Sequence, residues 1–218
     1  MKNHFSQEMA SLKKNIQQMA ELVDAQLEFA IRAMQTGNME LCKFVRSRDR
    51  EIDAYDNLIQ AQCENILALF QPVAGDLRFV ITALMINNQL ERCGDIAVNI
   101  VQRVQKTIDN RPLLEEIGLQ QLGEEARGMA RDAIEAFINN DLELAEVIRK
   151  RDDQVDDHCR SIFDTLITKM QAQPDWVEPG AHFIVLSRHL ERLADHATNI
   201  AEDVIFLIEA RIVAHQGD

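Results

Sequence analysis

Two eleven-residue phrases hold the residues of this chain that could do chemistry. The first is Leu90-Glu91-Arg92-Cys93-Gly94-Asp95-Ile96-Ala97-Val98-Asn99-Ile100, and the second, one hundred positions later, is Leu190-Glu191-Arg192-Leu193-Ala194-Asp195-His196-Ala197-Thr198-Asn199-Ile200. A duplicated core helix keeps its apolar positions first, yet here Glu, Arg, Asp and Asn also recur in register. On a helix, residues spaced i, i+4, i+8 line one face. Each phrase therefore builds a short acidic strip that ends in an amide. A second acidic pair is repeated as well: Arg46, Arg48, Asp49 and Asp53 match Arg149, Arg151, Asp152 and Asp156 at an offset of 103.

If the helices carrying these sets are antiparallel neighbours, an Asp/Asp pair and a Glu/Asp pair meet at one groove edge in each half. Such a donor set is all oxygen, which suits hard cations such as Mg²⁺, Mn²⁺, Ca²⁺ or iron. Asp203 extends the second strip where the first has Arg103, so if the two sites differ the second is expected to hold a cation better. His196 follows Asp195 directly and points about 100° away on a helix, which makes it a neighbour rather than a ligand. The Glu-x-x-His motif of di-iron bundles is absent. There is no glycine-rich phosphate loop, no zinc-type His/Cys spacing and no Ser or Cys nucleophile beside an evident base. The bland alternative is a solvated helix face laced with ion pairs, such as Arg92 with Asp95, each contributing only tenths of a kcal/mol. Repetition of the acids at four positions per half favours a functional role, because a solvated face is free to drift after duplication.

The elements that must position these side chains are helices. Only 8 Gly and 4 Pro punctuate 218 residues, and Ala, Leu, Ile, Gln and Glu dominate, most of them good helix formers. Leu12, Ile16, Met19, Val23, Leu27, Ala30 and Met34 recur at steps of three or four, an amphipathic helix over about 5–35. Gly37 suits a left-handed C-cap and Asn38 an N-cap. A second helix follows over 39–70 and is broken at Gln71-Pro72. Asp76 then serves as N-cap of a third helix over 77–108, which carries the first strip. After Asn110-Arg111-Pro112 the pattern restarts, with helices over about 114–138, 142–170 and 181–212 and a frayed tail from Ala214. Asn38-Met39-Glu40-Leu41 matches Asp141-Leu142-Glu143-Leu144, so the repeat runs well beyond the two phrases. The change of offset from 103 to 100 falls between Asp53 and Leu90, where the loop absorbs it most cheaply. The expected fold is all-α, with six long helices in two tandem three-helix bundles, residues 1–110 and 111–218.

The net charge of −13 repels nucleic-acid backbones and anionic lipid surfaces, so neither is an expected partner. The apolar runs are short and broken by charge, which leaves no segment able to span a bilayer. The start, Met1-Lys2-Asn3-His4-Phe5-Ser6, lacks the apolar region of a signal peptide. Cys42, Cys63, Cys93 and Cys159 are scattered without a Cys-x-x-Cys, as expected of small buried hydrophobes in a reducing compartment. The expected location is cytoplasmic.

The paired motifs Glu91-x-x-x-Asp95-x-x-x-Asn99 and Glu191-x-x-x-Asp195-x-x-x-Asn199, with Pro72-Val73-Ala74-Gly75-Asp76-Leu77-Arg78 before the third helix, resemble the duplicated acidic motif of the bacterial PhoU family. The likeness covers nearly the whole chain, although the second half has Pro179-Gly180-Ala181-His182 in place of the Asp-Leu-Arg turn. The resemblance implies a non-enzymatic regulator of phosphate uptake that restrains the phosphate-starvation response. It implies a sensor histidine kinase of PhoR type and the phosphate transporter ATPase of PstB type as partners, a homodimer, and a place peripheral to the inner membrane only through those partners. It further implies metal ions, iron, manganese or magnesium, held by Asp49, Asp53, Glu91 and Asp95 in the first half and by Asp152, Asp156, Glu191 and Asp195 in the second. Asn99 and Asn199 would orient or ligate. The alternative from another class is a helical-bundle metalloenzyme using carboxylate-bound iron or manganese.

Overall fold

In the computed structural model, which describes residues 2–213, every regular element is helical. The helices are α1 (Lys2–Thr36), α2 (Met39–Phe70), α3 (Ala74–Thr107), α4 (Pro112–Glu116), α5 (Leu119–Asn139), α6 (Leu142–Ala172) and α7 (Val177–Glu209). Single 3-10 turns at Ile108–Asn110 and Pro174–Trp176 precede α4 and α7. The expected frayed tail lies outside the described residues.

Punctuation explains most of the boundaries. Gly37 takes φ 69 and closes α1. The Asn38 side chain accepts from the backbone N–H groups of Glu40 (2.9 Å) and Leu41 (3.3 Å), satisfying two of the unpaired donors at the start of α2. Asp141 does the same for Leu144 at α6 (2.9 Å). Asn38→Ala is expected to lower stability by about 1 kcal/mol in urea unfolding, with an unchanged m-value, because only the cap is lost.

Among the boundaries that differ from the sequence reading, which include an earlier start of α1 at Lys2 and an earlier end of α7 at Glu209, three bear on how the site is positioned. The helix expected over 114–138 is divided, because Gly118 adopts φ 82 and separates α4 from α5. A Cβ at Gly118 would stand 3.0 Å from His158 Nε2, so both backbone and space favour glycine there. α7 starts at Val177 rather than 181, since Pro179 sits in the first turn, where no backbone donor is needed. α3 starts at Ala74, so Asp76 lies inside its first turn and does not cap it. That last difference also locates the change of offset. α3 begins sixteen residues ahead of Leu90 and α7 thirteen ahead of Leu190, so the three extra residues form the first turn of α3 instead of lengthening a loop.

α1, α2 and α3 pack on one another, and so do α5, α6 and α7. The two units then join along α3 and α7, with α1 against α5 beside them. Arg78, near the start of α3, donates from Nε to the Leu207 carbonyl near the end of α7 (2.8 Å), while Gln89 and His196 meet in the middle (2.7 Å). The two helices therefore run antiparallel. Across α1 and α5, Arg127 pairs with Glu28 (3.1 Å), and Gly123 leaves room for Met34 and Ile31. As a result α3 is buried on two sides. Leu90, Gly94, Ala97, Val101 and Val104 are buried, as are Cys93, Ile96 and Ile100, whereas Ile108, which continues the first stripe, is exposed. All four cysteines are buried free thiols.

Candidate functional site

α2 and α3 bring the first set of acids together. Asp49 is half-buried, and burial pushes its carboxyl above the usual range; a hydrogen bond with the buried Gln26 side chain opposes this, while the nearby Asp53 and Asp95 charges add to it. Glu91 is raised for the same first reason, burial, then by Asp95, with Arg92 opposing and Asp56 and Asp53 adding. Asp49, Asp53, Glu91 and Asp95 thus form one electrostatically coupled group. Arg92 spans Glu91 (3.4 Å) and Asp95 (3.5 Å). Glu91 Oε2 is nevertheless buried without a hydrogen-bond partner, because Arg92 Nε is within ion-pair distance but not aligned to donate.

The second set sits between α6 and α7. Asp152 is only 4 % exposed, and Thr198 Oγ1 donates to its Oδ1 at 3.0 Å. Burial raises Asp156, with Asp152 and Glu191 adding and Arg160 opposing. Glu191 is clamped at both oxygens by Arg188 Nη1 (2.7 and 2.5 Å) and accepts from Cys159 Sγ at 3.4 Å. Burial, then the Glu191 charge, pushes the Cys159 thiol up to about 11. Asp195 and Asn99 are half-buried on their own helices. Asn199 Nδ2 lies 3.5 Å from Gln89 Oε1 of α3.

The donor chemistry of both groups fits a hard cation: crowded carboxylates, several of them raised by one another, and one orphaned buried oxygen at Glu91. As the side chains stand, no three His, Cys, Asp or Glu groups among the described residues converge closely enough to hold a metal ion. Arg92 and Arg188 occupy the carboxylates that a cation would draw inward, so binding requires those arginines to release them.

Four residues of these groups were missed in the sequence. Asp56 couples to Glu91 and accepts from Asn87 Nδ2 at 2.6 Å. It is seven residues beyond Asp49, hence on the same face, and that spacing could have revealed it. Cys159 stands at the position equivalent to Asp56 by the offset of 103, so the two groups differ by a thiol. Gln26 lies in no motif and Thr198 stands in the second phrase where the first has Val98, so the role of each becomes visible only once the helices are packed.

Asp203 departs from the sequence reading. Each step of four residues turns about 40° around a helix, so by Asp203 the strip that starts at Glu191 has rotated through about 120°. Asp203 lines a pocket with Ile81 and Met85 of α3, on the side of α7 that also presents His196 to Gln89. It belongs to the seam between the repeats and does not strengthen the second acidic group. At the other end of the seam, His189 is lowered by burial first and then by Arg103 and Arg192, and its Nδ1 is buried without a hydrogen-bond partner.

Comparison with known proteins gives concordant matches. A family model described as the PhoU domain matches residues 16–104 and again 119–204. The chain is 34 % identical over 209 residues to a phosphate-specific transport system accessory protein PhoU homolog of Aquifex aeolicus, covering 96 % of this chain and 95 % of that one. It is 32 % identical over 203 residues to a homolog of the same name from Caulobacter vibrioides, covering 93 % and 88 %. Among solved structures it resembles PhoU from Pseudomonas aeruginosa, with a TM-score of 0.88 at 30 % identity, covering 95 % of this chain and all of that one. It also resembles the phosphate transport system regulatory protein PhoU from Streptococcus pneumoniae, with a TM-score of 0.87 at 28 % identity, covering 96 % and 99 %.

Proposed function

The chain belongs to the PhoU family, and on that premise we propose that it is an accessory regulator of phosphate-specific transport. In this reading it restrains the phosphate-starvation response when phosphate is plentiful. It acts as a non-catalytic adaptor between a transporter ATPase of PstB type and a sensor histidine kinase of PhoR type. It works in the cytoplasm as a homodimer and reaches the inner membrane only through those partners. Among the described residues no helix is long and apolar enough to cross a membrane, which fits attachment through partners. The two halves, 1–110 and 111–218, act as its paired units. The observation that carries the reading is the double match to the family domain, with an acidic group at the equivalent helix pair of each copy.

Deleting the gene is expected to derepress phosphate-starvation genes in rich phosphate. Continued repression would overturn the regulatory role.

Metal binding belongs to the same proposal. Asp49, Asp53, Glu91 and Asp95 would hold one ion, and Asp152, Asp156, Glu191 and Asp195 another, with Asn99 and Asn199 orienting. When bound, iron, manganese or magnesium supplies positive charge to the crowded carboxylates. The chain's own contribution is to hold those carboxylates on paired helices, with Gln26 and Thr198 fixing Asp49 and Asp152. Protein purified without chelator or affinity tag is expected to retain metal by mass spectrometry, and Glu191→Gln/Asp195→Asn to retain less. Folded protein without metal in either form would remove the ions from the model and leave the acids as a partner-binding surface.

A further inference from the structure

Between α3 and the end of α7 lies a pocket of about 350 Å³, lined by Ile81, Met85, Phe206 and Ile212 with Glu202 and Asp203. Its walls are apolar and open to solvent: Ile81 and Met85 are 39 % and 42 % exposed, and Ile212 is 82 % exposed. Asp203 is the exception among these groups. It is only 6 % exposed, and its Oδ2 is buried without a hydrogen-bond partner. Burial, with Glu202 beside it, pushes its carboxyl up to about 7. Glu202 is engaged elsewhere, with Arg149 Nε at 3.4 Å.

A buried carboxylate lacking a donor is costly, and the cost is recovered when a ligand brings one. A metal ion would ask for several oxygens, and this pocket offers mainly hydrocarbon. A neutral apolar partner would cover the walls and leave the carboxylate unmatched. A lysine or arginine side chain answers both parts, because its methylene stem packs on apolar walls while its head reaches the acid. The net charge of −13 also favours the approach of a basic segment. We propose that this pocket is a docking site for a lysine or arginine side chain carried on an apolar segment of a partner protein. The site is separate from the acidic groups, and it stands whether or not those groups hold metal.

The probe is n-hexylammonium, with 1-hexanol as its neutral counterpart, titrated against protein carrying ¹³C-methyl methionine and read at the Met85 methyl resonance. Hexylammonium is expected to shift that resonance at concentrations roughly tenfold lower than hexanol, a ratio typical of one charge-assisted contact. Asp203→Asn is expected to erase the difference while leaving the hexanol response in place. The hexanol response shows that the variant's pocket is intact, so loss of folding cannot imitate the result. An equal response to the two probes in the wild type, no response at Met85 up to the solubility limit of the alcohol, or a preference that survives Asp203→Asn overturns the proposal. Sedimentation of wild type and Met85→Lys separates a partner from a second copy of the chain. Unchanged mass is expected, and conversion of a dimer to a monomer would give the face to self-association and overturn the partner assignment.

Discussion

Asp203→Asn is expected to stabilise the protein at pH 8 by on the order of 3 kcal/mol, and by only a few tenths at pH 4, where the unfolded carboxyl is about half protonated. The sign follows from where the proton binds. In the unfolded chain this carboxyl ionises near 3.8, and in the folded protein burial raises it to about 7. Between those values the folded state holds a proton that the unfolded state has released, so stability falls as pH rises through that window. Above it the charged group is penalised in full, and below it both states are protonated and the penalty is gone. The surroundings offer little relief. Glu202 is next in sequence and adds to the shift, the pocket residues Ile81 and Met85 of α3 are apolar, Arg149 is engaged with Glu202, and Arg78 Nε is committed to the Leu207 carbonyl. Urea unfolding of both proteins from pH 4 to 8 should give curves that converge at the acid end and diverge toward neutrality. Equal stability at pH 8 would show that Asp203 is solvated or paired in solution.

Phe183→Ala is expected to cost about 3–5 kcal/mol, the range for deleting a buried aromatic ring. Phe183 is fully buried on α7, the helix that packs against α3, α5 and α6 together. Its equivalent in the first repeat, Ala83, is also fully buried, so the second repeat fills with a ring what the first fills with a methyl group. The surrounding helices are each held on more than one side, which limits how far they can collapse into the gap. The fall should appear as a lower urea midpoint with a preserved m-value.

Those two residues also show what the sequence could and could not reveal. α2 was read to its true ends because Asn38 and Gln71-Pro72 mark them locally. The break at Gly118 was passed over because a single glycine in a helical pattern is compatible with continuity; its positive φ is set by the turn into α5 and by His158 standing where a side chain would go. The first turn of α7 reads as loop in the sequence because Pro179-Gly180 looks like punctuation, although proline is tolerated before a helix needs its donors. The deeper omission was the second buried side of α3 and α7. A single apolar stripe can be read from periodicity, but Cys93, Ile96 and Ile100 are buried too, on the face of α3 that carries Gln89, which meets His196 of α7. Nothing local announces that, and it is why Asp203 was placed with the acids of α7 instead of at the seam. The acidic pairs themselves were legible, since exact repetition of polar residues is visible without coordinates. Their partners Gln26, Thr198 and Cys159 were not, because each is defined by a neighbouring helix.

The antiparallel seam has a consequence for ancestry. α3 and α7 carry one repeated sequence, and each bears the corresponding stripe, Gln89, Cys93, Ile96 and Ile100 on one and His189, Leu193, His196 and Ile200 on the other, with Gln89 of the first meeting His196 of the second. Antiparallel contact between like faces is the geometry of a twofold, self-complementary association. A lone repeat with this face bare could have paired with its own twin before duplication and fusion placed both on one chain. Fusion then freed the two faces to diverge, and Arg103 at one end with Asp203 at the other is the mark of that freedom: an arrangement no symmetric pair could hold.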